Sequence, residues 1–226
     1  MTPQLPLTLR APPDQRFDAF HGADPVRDAV HAAARGDAGD WLFLEGPAGS
    51  GKTHLLLAAC AEAADRGRRA AYLPLAGFAG HLAAMLPAQE GADLVCLDGL
   101  EAAAGRTDDE EALFHFHNRA REGGATVLYA ASAGPAVLPR PLPDLRTRLA
   151  QCIRLTLHPL DEAARRDVLR ARAARRGLDL DDAVLDYLLR RVERDLGSLT
   201  ALLDRLDRAS LAAQRRITVP FLRGVL

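Results

Sequence analysis

The sequence predicts an α/β protein in which a parallel sheet with covering helices is followed by a small all-helical unit. Three observations carry this expectation. Short apolar runs of strand length alternate with helix-like segments up to His158-Pro159, the pattern of a parallel sheet. Beyond Pro159 the alternation stops and only helix-like segments follow. Between one apolar run and one helix, residues 46–53 read G-x-x-x-x-G-K-T.

The elements follow in order. Residues 1–13 form an extended arm, because Pro3, Pro6, Pro12 and Pro13 exclude helix while Leu5, Leu7 and Leu9 alternate. A helix is expected over 25–35, a strand over 41–44 and a long helix over 54–66, ending near Gly67. Strands over 70–73 and 93–97 flank a weak helix over 77–86. A helix over 109–122 is closed by Gly123-Gly124, and strands over 125–130 and 152–155 complete the sheet. Helices over 161–176, 182–192, 196–214 and 219–225 follow, the first stopped by Gly177 and the last entered through Thr218 and Pro220. The chain therefore divides into an arm (1–13), an α/β unit (14–158) and a helical unit (159–226), with no internal repeat.

Composition excludes several classes. Of the 226 residues 48% are hydrophobic and 26% charged, enough for a core and too apolar for wholesale disorder. The net charge of -1 supplies no global positive field for nucleic acid, so any association with DNA would be local or borrowed from a partner. The helical unit carries 14 arginines against 11 acids, and the arginines from Arg165 to Arg176 read as a solvated helix face. Cys60, Cys96 and Cys152 lack C-x-x-C spacing and are odd in number, which suits a reducing cytoplasm. No run reaches the roughly 18 apolar residues of a membrane span, and the N-terminus lacks a leader pattern, so the chain is expected to be cytoplasmic.

One lysine, Lys52, stands among 28 arginines. It falls inside the strongest chemical signal, Gly46-Pro47-Ala48-Gly49-Ser50-Gly51-Lys52-Thr53, where a compact ammonium does what a broad guanidinium cannot. The glycines allow backbone N–H groups to face a phosphate, and the following helix adds partial positive charge. Lys52 would reach the β and γ phosphates, Thr53 would ligate Mg²⁺, and His54 follows in the first turn of the helix. The apolar run Leu94 to Leu97 ends in Asp98, placed to hold the metal through water. Gly99 stands where a water-orienting carboxylate is common, so weak or no intrinsic hydrolysis is expected, with Glu101 nearby. Arg146 and Arg148 either reach a neighbouring molecule's γ-phosphate or are ordinary surface charges. His115 and His117, two apart on a helix, cannot clamp one metal, and core packing or capping is their expected role.

Five segments together resemble the DnaA/Hda group of AAA+ proteins, and within it the short regulatory homologues of DnaA. They are GPAGSGKTHLLLAAC, LVCLDGLE, EEALFHFHNRAREGG, LPDLRTRL and the terminal LLDRLDRASLAAQRRITVPFLRGVL. The resemblance runs from Phe17 to Leu226. It implies an AAA+ P-loop fold with a helical lid, and an adenine nucleotide gripped by the segment containing Phe17 and Phe20, with ADP favoured over ATP. It also implies an arginine finger at Arg148 acting in trans. The chain stops at Leu226, so the box-reading helix-turn-helix domain of DnaA, and with it sequence-specific DNA binding, is expected to be absent. Gln4-Leu5-Pro6-Leu7-Thr8-Leu9 is similar to the Q-L-x-L-x-L motif by which the group binds the DNA polymerase III sliding clamp (β subunit), an extended peptide placing alternate leucines in an apolar groove.

The implied function is regulation of chromosome replication initiation by promoting hydrolysis of DnaA-bound ATP, with DnaA and the clamp as partners and self-association as a further expectation. Two departures stand out: Ala130 occupies the first sensor, Ala130 to Ser132, where a polar residue is usual, and Gly197 replaces a sensor arginine, with Arg194 one turn earlier as its substitute. The alternatives are an independent ATPase, such as a helicase-loader-like or clamp-loader-like protein, and a nucleotide-bound adaptor without catalysis.

Overall fold

A computed structural model describes residues 15–137, 143–191, 205–206 and 217–225. The clamp-like motif Gln4, Leu5, Leu7 and Leu9, the positions Arg194 and Gly197, and most of the helix expected over 196–214 lie outside the described residues.

Five parallel strands form one sheet in the order β2-β3-β4-β1-β5: β1 (Leu42–Glu45), β2 (Ala70–Pro74), β3 (Leu94–Asp98), β4 (Thr126–Ala131) and β5 (Ile153–Thr156). The inner strands are nearly continuous apolar runs because helices cover both faces. On one face α1 (Asp24–Arg35) and α2 (Lys52–Asp65) enclose Val30, Leu44, Leu55, Leu56, Cys96 and Leu128. On the other, α3 (Leu82–Met85), α4 (Thr107–Glu122) and α5 (Pro143–Ala150) enclose Phe43, Leu97, Leu113, Phe116 and Tyr129. The chain leaves β1 for the far edge of the sheet, returns beside it with β4 and then crosses to β5. The C-terminal ends of β1, β3 and β4 therefore meet where the connections diverge, the place such sheets use for ligands.

Two differences from the sequence reading have physical causes. The weak helix over 77–86 is broken into a 3-10 turn at Leu75–Phe78, the single turn α3 and a second 3-10 turn at Leu86–Gln89. Gly80 has φ 85° between them, and Pro87 cannot donate inside a helix. The helix expected from residue 109 begins at Thr107, and Asp109 and Glu110 in its first turn are buried: Asp109 accepts the Gly80 and Leu82 N–H groups at 2.5 and 3.0 Å, and Glu110 accepts the Gly105 N–H at 2.7 Å. Asp109 thus supplies acceptors that the broken segment cannot provide itself, while Glu110 caps the turn before its own helix. His117 is fully buried, bonded through Nδ1 to the Tyr129 hydroxyl at 3.0 Å and packed edge-on against Trp41. That is the core role expected of it.

From residue 161 the described elements are helices: α6 (Glu162–Arg175), α7 (Asp182–Arg191) and α8 (Val219–Val225), around Leu169, Val184, Leu185, Leu188, Leu206 and Leu222. Asp161 caps α6 by accepting the Ala164 N–H at 2.7 Å. The arginines of α6 are not simply a solvated face. Arg166 pairs with Asp186, Arg170 with Asp167 and Asp182, and Arg175 with Asp18, while Arg172 is buried. The cause is the turn of the helix, which aims one side of α6 at the N-terminal segment and the P-loop helix and another at α7. Among the described residues no helix is long and apolar enough to cross a membrane, and no cluster of His, Cys, Asp or Glu could hold a metal by itself.

Candidate nucleotide-binding site

Residues 46–51 turn from β1 into α2 on a backbone that suits glycine. Gly49 and Gly51 have φ of 75° and 99°, in the left-handed region, and Gly51 is the N-cap of α2. A Cβ on Gly51 would stand 2.8 Å from the Phe20 ring, so the small residue also admits a close neighbour. The loop is pinned by Gly46 N–H donating to Ala131 O at 3.3 Å.

The side chains that the sequence singled out converge here. Lys52 Nζ donates to the Gly46 and Pro47 carbonyls at 2.6 and 2.8 Å, so its ammonium is held over the loop. Burial pushes its pKa down, opposed by the charges of Asp98 and Glu101. Thr53 Oγ1 donates to Asp98 Oδ2 at 2.6 Å, joining the start of α2 to the end of β3. The Ser50 hydroxyl is buried without a hydrogen-bond partner among the described residues. An orphaned hydroxyl, a glycine cradle, a lysine over the loop and a hydroxyl–carboxylate pair are the donor set that a Mg²⁺–nucleotide phosphate chain requires, and the residues present fit it.

The hydrolytic side of the site is different. Gly99 has φ 81° and ψ 50°, a left-handed backbone in which a glutamate would be strained, and its N–H donates to Ala130 O at 2.9 Å. Ala130 is fully buried and lies beside Asp98 in the β3–β4 register, so a methyl group stands next to the carboxylate there. Glu101, the nearby carboxylate, accepts the Ser132 N–H at 3.1 Å.

Of the two aromatic residues Phe17 and Phe20, only Phe20 meets the loop among the described contacts. Phe20 is buried against Gly51 and the His54 ring, at 5.5 Å between centroids, whereas Phe17 packs on His31 at 4.7 Å. His54 faces the N-terminal segment and α6: its Nε2 meets the Arg16 carbonyl at 2.9 Å and its Nδ1 meets Arg172 Nη2 at 3.4 Å. The carbonyl requires Nε2 to donate, which leaves Nδ1 as acceptor and the ring neutral. Arg148, on the last turn of α5, is half-buried between the anchors Leu145 and Leu149, and its guanidinium has no carboxylate partner among the described residues.

Two links were not visible in the sequence: Tyr72, whose hydroxyl reaches Asp98, and the contacts of Arg172 and Arg175 with the base. Strand alternation places Tyr72 on the face of β2 that meets α2, the one signal that could have drawn attention to it.

His54 and His117 make a pH prediction. Burial above all, and then nearby arginines, depress both: His54 is lowered to about 4 despite its bond to Arg16, and His117 is lowered to about 4 by burial, Arg121 and Arg148. Unfolded histidine titrates at about 6.5. Between those values the unfolded chain binds protons that the folded chain does not, so stability is full above about 6.5 and falls as the pH drops toward 4. Urea midpoints measured across that window should fall on acidification, and His54→Gln should flatten the slope; an unchanged slope would contradict the assignment.

Comparison with known proteins agrees with this geometry. Residues 161–226 match the family model described as the lid domain of Hda. Domain III of the Thermotoga maritima replication initiation protein DnaA superposes with a TM-score of 0.78 at 22% identity, over 96% of this chain and 97% of that one. AMPPCP-bound DnaA from Aquifex aeolicus gives 0.72 at 22% identity over 91% and 69%. The Thermotoga maritima RuvB branch-migration motor gives 0.66 at 20% identity over 95% and 71%. The chain thus shares the fold of these proteins, and its C-terminal segment matches the Hda lid model.

Proposed function

We propose that this chain is a cytoplasmic, DnaA-related regulator of replication initiation that binds an adenine nucleotide, retains ADP, and promotes hydrolysis of ATP held by DnaA. The observation that carries the reading is a complete phosphate cradle beside a missing hydrolytic set: Lys52, Thr53 and Asp98 are in place, while Gly99 and Ala130 offer no group to orient water. The AMPPCP bound by a structurally similar DnaA supports nucleotide binding in the same fold.

In this reading the backbone amides of residues 46–53 bind the phosphates, the Lys52 ammonium neutralises them, and Thr53 with Asp98 holds Mg²⁺, the carboxylate through water. Bound Mg²⁺ supplies charge neutralisation on the phosphate oxygens. Phe20 shields the loop, Phe17 lies beside it, and Arg194 stands in for the missing sensor arginine. The α/β unit of residues 14–158 carries the site and residues 159–226 form its lid. Arg148 works in trans, against DnaA. The arm bearing Gln4, Leu5, Leu7 and Leu9 binds the sliding clamp, which brings a nearly neutral protein to DNA.

An independent ATPase is disfavoured by the same two residues, Gly99 and Ala130. Removing residues 1–10 separates the readings: the truncated protein should lose clamp binding and clamp-dependent stimulation while still binding nucleotide. Stimulation that survives truncation would contradict the clamp-tethered reading.

A further inference from the structure

The carboxylate at the end of β3 is held by more than the nucleotide loop. Asp98 Oδ2 accepts two hydroxyls, Thr53 Oγ1 at 2.6 Å and the Tyr72 phenol at 2.9 Å. No hydrogen bond among the described residues reaches Oδ1. The register explains how Tyr72 arrives there. On β2 it pairs with Cys96, two residues before Asp98, and packs on the sheet face that meets α2, so its ring runs parallel to the strands toward their C-terminal ends. The hydroxyl at the far end of the ring spans that offset.

We propose that Tyr72 is a positioning residue for the metal carboxylate: it fixes Asp98 Oδ2 from the side opposite the nucleotide loop and so presents Oδ1 to the hydration shell of Mg²⁺. The inference rests on the nucleotide reading above. Thr53 is shared between metal and carboxylate, whereas Tyr72 has no part in the cradle and holds Asp98 whatever Thr53 does. A ligand oriented from outside its own shell in this way binds with less reorganisation.

The test is the affinity for a fluorescent ADP analogue with Mg²⁺ and with EDTA, in the wild type, Tyr72→Phe, Asp98→Asn and the double variant. Tyr72→Phe keeps the ring and its packing and removes one hydrogen bond to a charged group, so it should cut the Mg²⁺-dependent gain in affinity by about tenfold. Its affinity in EDTA should match the wild type, and the Tyr72→Phe effect should vanish in the Asp98→Asn background. A full Mg²⁺ gain in Tyr72→Phe, an equal loss with and without Mg²⁺, or an effect that persists without the carboxylate would overturn the proposal. Absence of binding by the wild type would instead overturn the nucleotide reading beneath it.

Discussion

Replacing Arg148 by Ala is expected to lower the stimulation of DnaA-bound ATP hydrolysis by about 10³-fold or more, with nucleotide and clamp binding unchanged. The position makes the reason clear. Leu145 and Leu149 bury one side of α5 against α4 and the sheet, which fixes the helix and leaves Arg148 near its end. Its guanidinium is committed to no carboxylate among the described residues, so it is available to a neighbouring molecule. In the reading proposed here that neighbour is DnaA, where a planar cation stabilises charge on the transferring phosphoryl group. Lys at this position should not rescue, because an ammonium lacks the fork geometry. Arg146 is the control: it lies two residues earlier on the exposed side of the same helix, and Arg146→Ala should leave most of the stimulation intact. Stimulation that survives Arg148→Ala would remove the finger from the account.

Lys52→Ala should weaken nucleotide binding by about 100-fold or more, the scale of losing charge-assisted contacts to phosphate. The ammonium already sits on the Gly46 and Pro47 carbonyls, so the loop is shaped before any ligand arrives. Lys52→Arg should fail almost as badly, which would explain one lysine among 28 arginines. Thermal stability should change little, since the side chain contributes no core packing. An affinity within about threefold of wild type, read by the same fluorescent analogue, would mean that the loop is a turn without a ligand.

Local rules made most of the fold legible. The G-x-x-x-x-G-K-T loop placed a strand before it and a helix after it, and apolar runs marked the inner strands β1, β3 and β4, because parallel strands buried on both faces leave no other pattern. Gly99 was legible as a missing carboxylate; the structure adds that its left-handed backbone resists putting one back. Long-range pairings were not legible. Asp109 looked like a helix-starting acid and is a buried cap for a segment 27 residues earlier, and Arg172 looked solvated and is buried beside His54. Tyr72 read as a strand aromatic, because nothing local reveals that its hydroxyl ends at Asp98. Each depends on where the chain returns, which periodicity does not encode.

The most direct measurement is hydrolysis of ATP bound to DnaA, with and without this chain, each with and without clamp loaded on DNA, beside a control that lacks DnaA. The account predicts stimulation only when the chain and the loaded clamp are present together, and no turnover in the control. Turnover without DnaA, or no stimulation in any arm, would contradict it, the first pointing to an independent ATPase and the second to an adaptor.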